Sequence, residues 1–93
     1  PLISNQSIII SSTAVLRVAS IYLQLGQHDE ALSTLNIESG EEFSGLIYNL
    51  TGDVYLDLGN SDEAKKYYLL AIENITENSN LTQLIQIKLD DLN

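Results

Sequence analysis

A seven-residue phrase occurs twice in this chain. Leu25-Gly26-Gln27-His28-Asp29-Glu30-Ala31 returns as Leu58-Gly59-Asn60-Ser61-Asp62-Glu63-Ala64, an offset of 33 residues. Self-similarity at a period of about 20–50 residues marks a chain that stacks one small unit on the next. The flanks repeat as well. Tyr22 and Tyr55 each stand four residues before their glycine, and Leu35 and Tyr68 nine after it. Ala19 and Gly52 lie seven before it, where small side chains let two helices press together. Tyr48, four before Gly52, is large enough to fill the gap between units.

The units are helical. Ile10, Ala14, Val18, Ile21 and Leu25 step by four, four, three and four, which is one helical face and is expected to point inward. Gly26 stops that helix as a C′ residue does. Asp29 and Glu30 suit the first turn of a second helix, where the dipole favours negative charge, with Ala31, Leu32 and Leu35 inward. Ser39 and Glu42 fit a capping box for a third helix, whose face is Phe43, Ile47, Leu50, Val54 and Leu58. Gly59 closes it. Asn60 or Ser61 caps a fourth helix, with Ala64, Tyr67 or Tyr68, Ala71 and Ile75 inward. Past the polar Asn78-Ser79-Asn80, a fifth helix carries Leu81, Leu84, Ile85, Lys88 and Leu92 on one face. Five helices joined by such short links must run antiparallel to their neighbours.

This spacing of small, aromatic, Gly, Ala and large residues resembles the tetratricopeptide repeat. The resemblance implies an all-α fold, a tetratricopeptide-repeat helical solenoid of antiparallel helix pairs with a C-terminal capping helix. Repeat 1 is expected at about residues 11–40, repeat 2 at about 41–77 and the capping helix at about 80–92. The second copy fits better, although Thr76 stands where a closing proline is common. In the first, Val15 replaces the large aromatic, Glu38 replaces the second alanine of the second helix, and that helix is short. A plain helical bundle is the alternative. One repeat cannot bury its face alone, so two copies need caps or neighbours. The chain opens at Pro1 and has no methionine, which reads as a fragment, and its first helix has no predecessor, so further repeats are expected upstream.

Charge narrows the function. Thirteen acidic against four basic residues give −9, and only Arg17, Lys65, Lys66 and Lys88 could meet phosphates. Nucleic acid and anionic membrane surfaces are therefore poor partners. The longest uninterrupted apolar run, Tyr67 to Ile72, is far short of a span. Without cysteine there is no thiol nucleophile, disulfide or Cys-ligated zinc.

Little in the chain suggests chemistry. His28 beside Asp29 and Glu30 has metal-ligand character, but turn positions of this repeat are usually solvated. Asp53 and Asp57 lie one turn apart, as general acid–base pairs sometimes do, with no base or Gly-rich loop beside them. No nucleophile elbow, P-loop or dinucleotide fingerprint occurs. No catalytic residue, no metal site and no cofactor are expected. Tyr22, Tyr48, Tyr55 and Tyr68 occupy repeat positions and are expected to pack, whereas Tyr67 is the freer one. Four Asn-x-Ser/Thr triplets, beginning at Asn5, Asn49, Asn74 and Asn80, read as chance matches in a chain rich in these residues.

In this repeat the first helix of each pair lines a concave groove. The residues expected there are Thr13, Arg17, Ser20 and Gln24 in the first repeat, and Asn49, Asp53, Leu56 and Asp57 in the second. Their amides and carboxylates can accept backbone N–H groups of an extended peptide. A multi-lysine clamp on a terminal carboxylate is argued against, because Arg17 is the sole cation of the set. The expected function is protein binding without catalysis. The unpaired first helix is expected to offer a face through which two copies can form a homodimer.

Three further stretches narrow the resemblance. They are Leu16-Arg17-Val18-Ala19 through Ala31-Leu32, Leu50-Thr51-Gly52-Asp53 through Gly59-Asn60, and the ending Gln86-Ile87-Lys88-Leu89-Asp90-Asp91-Leu92-Asn93. Together with the short second helix they look like the C-terminal half of YfgM-like proteins of Gram-negative bacteria. That resemblance implies an N-terminal transmembrane helix and a repeat domain on the periplasmic face of the inner membrane. It implies, as partners, the SecYEG translocon, the membrane-anchored isomerase PpiD and newly exported clients, within a chaperone network. A proposed restraint on an envelope-stress regulator also belongs to that family. The alternative is a soluble cytosolic adaptor that uses the same fold to assemble one complex.

Overall fold

A computed structural model describes residues 11–37, 40–75 and 80–92. Among these, five helices follow one another: α1 (Ser12–Gln24), α2 (His28–Leu35), α3 (Ser44–Asp57), α4 (Ser61–Glu73) and α5 (Asn80–Asp91). A single 3-10 turn, Glu41–Phe43, leads into α3. The expected all-α fold is what the chain adopts. Its Cα radius of gyration is 14.1 Å, above the ~12 Å of a compact domain of this length. Its extents of 52 × 30 × 16 Å are those of a slab of stacked hairpins.

The repeated phrase builds the same stop signal twice. Gly26 and Gly59 adopt φ of +75° and +82°, which glycine reaches without steric cost. After α1, the Gly26 N–H donates to Leu23 O at 3.0 Å and the Gln27 N–H to Tyr22 O at 2.8 Å. After α3, Gly59 and Asn60 repeat this on Leu56 O and Tyr55 O at 3.0 and 2.9 Å. These paired bonds satisfy carbonyls that a helix end otherwise leaves open. Starts are capped less uniformly. Ser11 Oγ accepts from the Ala14 N–H at 3.1 Å, and Asn60 Oδ1 from the Glu63 N–H at 3.3 Å. No side chain caps α3, and Ser39 of the expected capping box lies outside the described residues.

Two clusters make the core. Ala19, Ala31, Leu35 and Val54 join the first hairpin to α3. Ala64, Tyr68, Ala71, Ile85 and Leu89 join α4 to α5, so the last helix covers the face that a further repeat would otherwise bury. Close approach is built into α3. A Cβ at Gly52 would lie 2.6 Å from the Tyr68 ring, and one at Gly45 3.3 Å from the Ala71 carbonyl oxygen.

The inward faces differ from the periodicity reading in three places. On α1 the buried residues are Val15 and Ala19, while Val18, Ile21 and Leu25 stay exposed. Both stripes have helical period, but α2 and α3 meet the one that contains small Ala19. Ile10 of the expected stripe lies outside the described residues. Leu58 is exposed because the chain turns at Gly59 before anything covers it. On α5 Ile85 is buried and its neighbour Leu84 is exposed, because α5 has a helix on one side only. Leu46 and Ile47 are both expected from the sequence to lie between the repeats, but Leu46 is exposed and Ile47 half-buried against the first cluster.

Candidate functional site

On α1, Thr13, Arg17, Ser20 and Gln24 step by four, three and four, so they share the face opposite Val15, Ala19 and Tyr22. Thr13, Arg17 and Gln24 are exposed and Ser20 is half-buried. On α3, Asn49, Asp53 and Leu56 likewise share a face, with Asp57 beside it. Leu56 and Asp57 are exposed, whereas Asn49 and Asp53 are half-buried.

Asn49 and Asp53 are engaged within the chain. Lys88 of α5 donates from Nζ to Asn49 Oδ1 at 3.0 Å and to Asp53 Oδ1 and Oδ2 at 3.0 and 3.3 Å. The Tyr68 hydroxyl of α4 donates to Asp53 Oδ1 at 2.5 Å. The same ammonium lies 5.4 Å from the centroid of the Tyr68 ring, within cation–π range. One carboxylate therefore gathers α3, α4 and α5. The Tyr68 phenol is pushed well above its ordinary range, first by burial, then by its hydrogen bond to Asp53 and by that carboxylate's charge. Burial disfavours the phenolate, and a carboxylate at hydrogen-bond distance opposes a second negative charge.

Asp57 has a different partner. Its Oδ2 lies 2.6 Å from His28 Nε2, across 29 residues of sequence. The contact ties the start of α2 to the end of α3 and so braces one hairpin on the next. Asp53 and Asp57, one turn apart, thus serve two separate contacts. Among the described residues no group of three or more His, Cys, Asp or Glu is placed to hold a metal ion. No helix among them is long and apolar enough to cross a membrane.

Arg17 forms no ion pair with any described residue, unlike Lys66, paired with Glu63 at 4.0 Å, and Lys88. The polar face thus carries an unpaired guanidinium on α1 and the Lys88–Asp53 pair on α3. Such a face offers both donors and acceptors to the backbone of an extended chain.

Three of these side chains were not among the groove candidates. By their sequence positions Tyr68 is a packing residue and His28 a turn residue. Lys88 carried a signal, a lysine within the otherwise apolar inward stripe of the last helix. A lysine buried that far is paired, and its acid lies 35 residues away. Tyr67 also has a defined place. Its ring stacks on Tyr55 at 5.5 Å and 6°, and on Tyr48 at 6.1 Å and 29°.

Comparison with known proteins adds a family. Residues 3–93 match the model described as tetratricopeptide repeat-like domain. The chain is 39% identical over 84 residues to an ancillary SecYEG translocon subunit of Aggregatibacter actinomycetemcomitans, covering 90% of this chain and 40% of that protein. It is 35% identical to the subunit of the same description from Neisseria gonorrhoeae, covering 97% of this chain and 44% of the relative. It is 34% identical to the one from Haemophilus influenzae, covering 98% and 44%. The chain thus spans less than half the length of the curated relatives it matches. No solved structure matches it.

Proposed function

The chain belongs to the tetratricopeptide repeat-like domain family, and on that premise we propose that it is a protein-binding module serving the Sec translocon of the bacterial inner membrane. One observation carries the reading. Similarity to proteins described as ancillary SecYEG translocon subunits extends through 90% or more of the chain. The fold is consistent with it, since stacked helix pairs present an extended surface for other polypeptides. Residues 11–40 and 41–77 act as the two repeats, and 80–92 as the cap.

The finer placement follows the same resemblance. The domain faces the periplasm, tethered to the membrane by a segment elsewhere in the full-length protein. Its partners are SecYEG, the isomerase PpiD and polypeptides emerging from export. They contact the groove formed by Thr13, Arg17, Ser20, Gln24, Asn49, Asp53, Leu56 and Asp57. Lys88 holds Asn49 and Asp53, so exposed Arg17, Gln24 and Leu56 make first contact.

Photo-cross-linking in cells tests this. The full-length protein would carry the probe at Arg17 or at Leu56, and adducts would be read by mass spectrometry. Translocon subunits or nascent envelope proteins are the expected adducts. A single abundant cytosolic partner would overturn the reading and make the protein a soluble adaptor.

A further inference from the structure

The 33-residue offset pairs each exposed apolar residue of α1 with a residue of α3. Val18 corresponds to Thr51, Ile21 to Val54 and Leu25 to Leu58. On α3 the first two of these positions are buried, and on α1 both are exposed. The contrast is widest at the second, where Ile21 is 54% exposed and Val54 is 0%. The third position is exposed in both repeats. Both helices have the same period, so the difference comes from what lies against them.

On α3 the cover is the preceding hairpin. Val54 packs with Ala19 of α1 and with Ala31 and Leu35 of α2. Half-buried Leu23 and Leu32 pack against the same cluster. The alanines let the helices approach closely, and the leucines fill the space that remains. Leu58 lies past the reach of this edge and stays in solvent. A second copy of the chain has no such edge to offer. In each copy Ala19, Ala31 and Leu35 are taken by α3. Ala64 and Tyr68, the counterparts of Ala31 and Leu35, are taken by Ile85 and Leu89 of α5. Each copy also carries a charge of −9, which opposes self-association. The curated relatives are longer, since the chain covers 40% to 44% of their length.

We propose that Val18 and Ile21 form the docking face for a further helix pair of the same polypeptide, one that precedes α1 and covers them as α1 and α2 cover Thr51 and Val54. That pair presents an edge of small residues and leucine like Ala19, Ala31 and Leu35. It leaves Leu25 in solvent, as the first hairpin leaves Leu58. The apolar face of α1 is thus an internal joint of a longer stack, where each repeat buries what its neighbour cannot bury alone. It is not a surface for a client or for a second copy.

Thiol labelling of the full-length protein tests this. The chain has no cysteine, so Val18→Cys, Ile21→Cys and Leu25→Cys each place a single thiol in it. Ile21 and Leu25 are both well exposed on α1, so without a cover their thiols would react with a maleimide at similar rates. With the helix pair in place, Ile21→Cys and Val18→Cys are expected to react about tenfold or more slowly than Leu25→Cys. Mass spectrometry at the introduced site reads the rates, and equal rates at all three would overturn the proposal. A photo-cross-linker at Ile21 then identifies the cover. Adducts to a segment of the same polypeptide that precedes Pro1 are expected. Adducts only to residues 1–10, to a second copy or to another protein would overturn the proposal. The translocon reading is decided separately, by the adducts formed from Arg17 and Leu56.

Discussion

Lys88 and Asp53, 35 residues apart, meet at 3.0 Å, and this pair is the polar tie between the last helix and α3. The lysine side chain is 23% exposed and the aspartate 28%, so the pair is partly shielded from solvent. Such a pair is stronger than a fully exposed one, and removing one partner leaves the other short of bonds.

A double-mutant cycle isolates the tie. Lys88→Met keeps the stem packed while removing the charge, and Asp53→Asn removes the other half. A coupling of about 1 kcal/mol is expected, within the ~0.5–3 kcal/mol of residues in one network. Urea unfolding of the four proteins measures it. Additive effects would show that Lys88 contributes by packing alone.

The Tyr68 phenol sets an alkaline limit. Its folded pKa is raised, so the folded state keeps a proton that the unfolded chain loses above about pH 10. The unfolded state then binds fewer protons, and stability falls as pH rises. The contribution is complete below the unfolded value and is lost progressively above it. Tyr68→Phe should flatten this alkaline limb, at a cost near neutral pH of about 1.5 kcal/mol for the lost bond to a carboxylate. Melting temperatures between pH 7 and about pH 11 check both parts.

Gly52 is an α-helical glycine that should not accept alanine. Helix propensity alone would favour the change by about 0.8–1 kcal/mol. The new methyl would lie 2.6 Å from the Tyr68 ring, and overpacking of this kind costs about 1–3 kcal/mol. Tyr68 is fully buried and held by Asp53, so it has little room to yield. A lower melting temperature is expected, by about 4–8 °C for each kcal/mol of net loss.

Adjacent residues on α5 should behave differently. Ile85 is 0% exposed and Leu84 is 48% exposed. Ile85→Ala is expected to cost about 2–5 kcal/mol and to loosen α5 from α4. Leu84→Ala should stay within about 0.5 kcal/mol, as surface changes do. Equal losses would mean that α5 is rotated about its axis.

Ile47→Ala tests the joint between hairpins. Ile47 packs against Ala19, Ala31, Leu35 and Val54 but is only half-buried. The cost is expected near the lower end of the ~2–5 kcal/mol range for such a truncation. Denaturant unfolding measures it, and an unchanged midpoint would show that the hairpins do not stack through this residue.

The sequence by itself determined what depends on neighbours along the chain. The five helices of the described residues, the two glycine stops at Gly26 and Gly59 and the Asn60 cap arise from bonds spanning a few residues. The repeat marked Gly52 as a place of close helix approach, because a small residue recurs there, while the structure decided that the Tyr68 ring is what meets it. The groove candidates of α1 and α3 could be grouped by face for the same reason. The tertiary structure decided between two readings of α1, since the repeat placed Ala19 and Tyr22 in the packing while the apolar period favoured Val18, Ile21 and Leu25. It also decided that Asn49 and Asp53 are held by Lys88, and Asp57 by His28. The period of a helix says which residues share a face. It does not say which face another helix will cover, because that depends on whole helices meeting through residues that lie 29 to 39 positions apart in the chain.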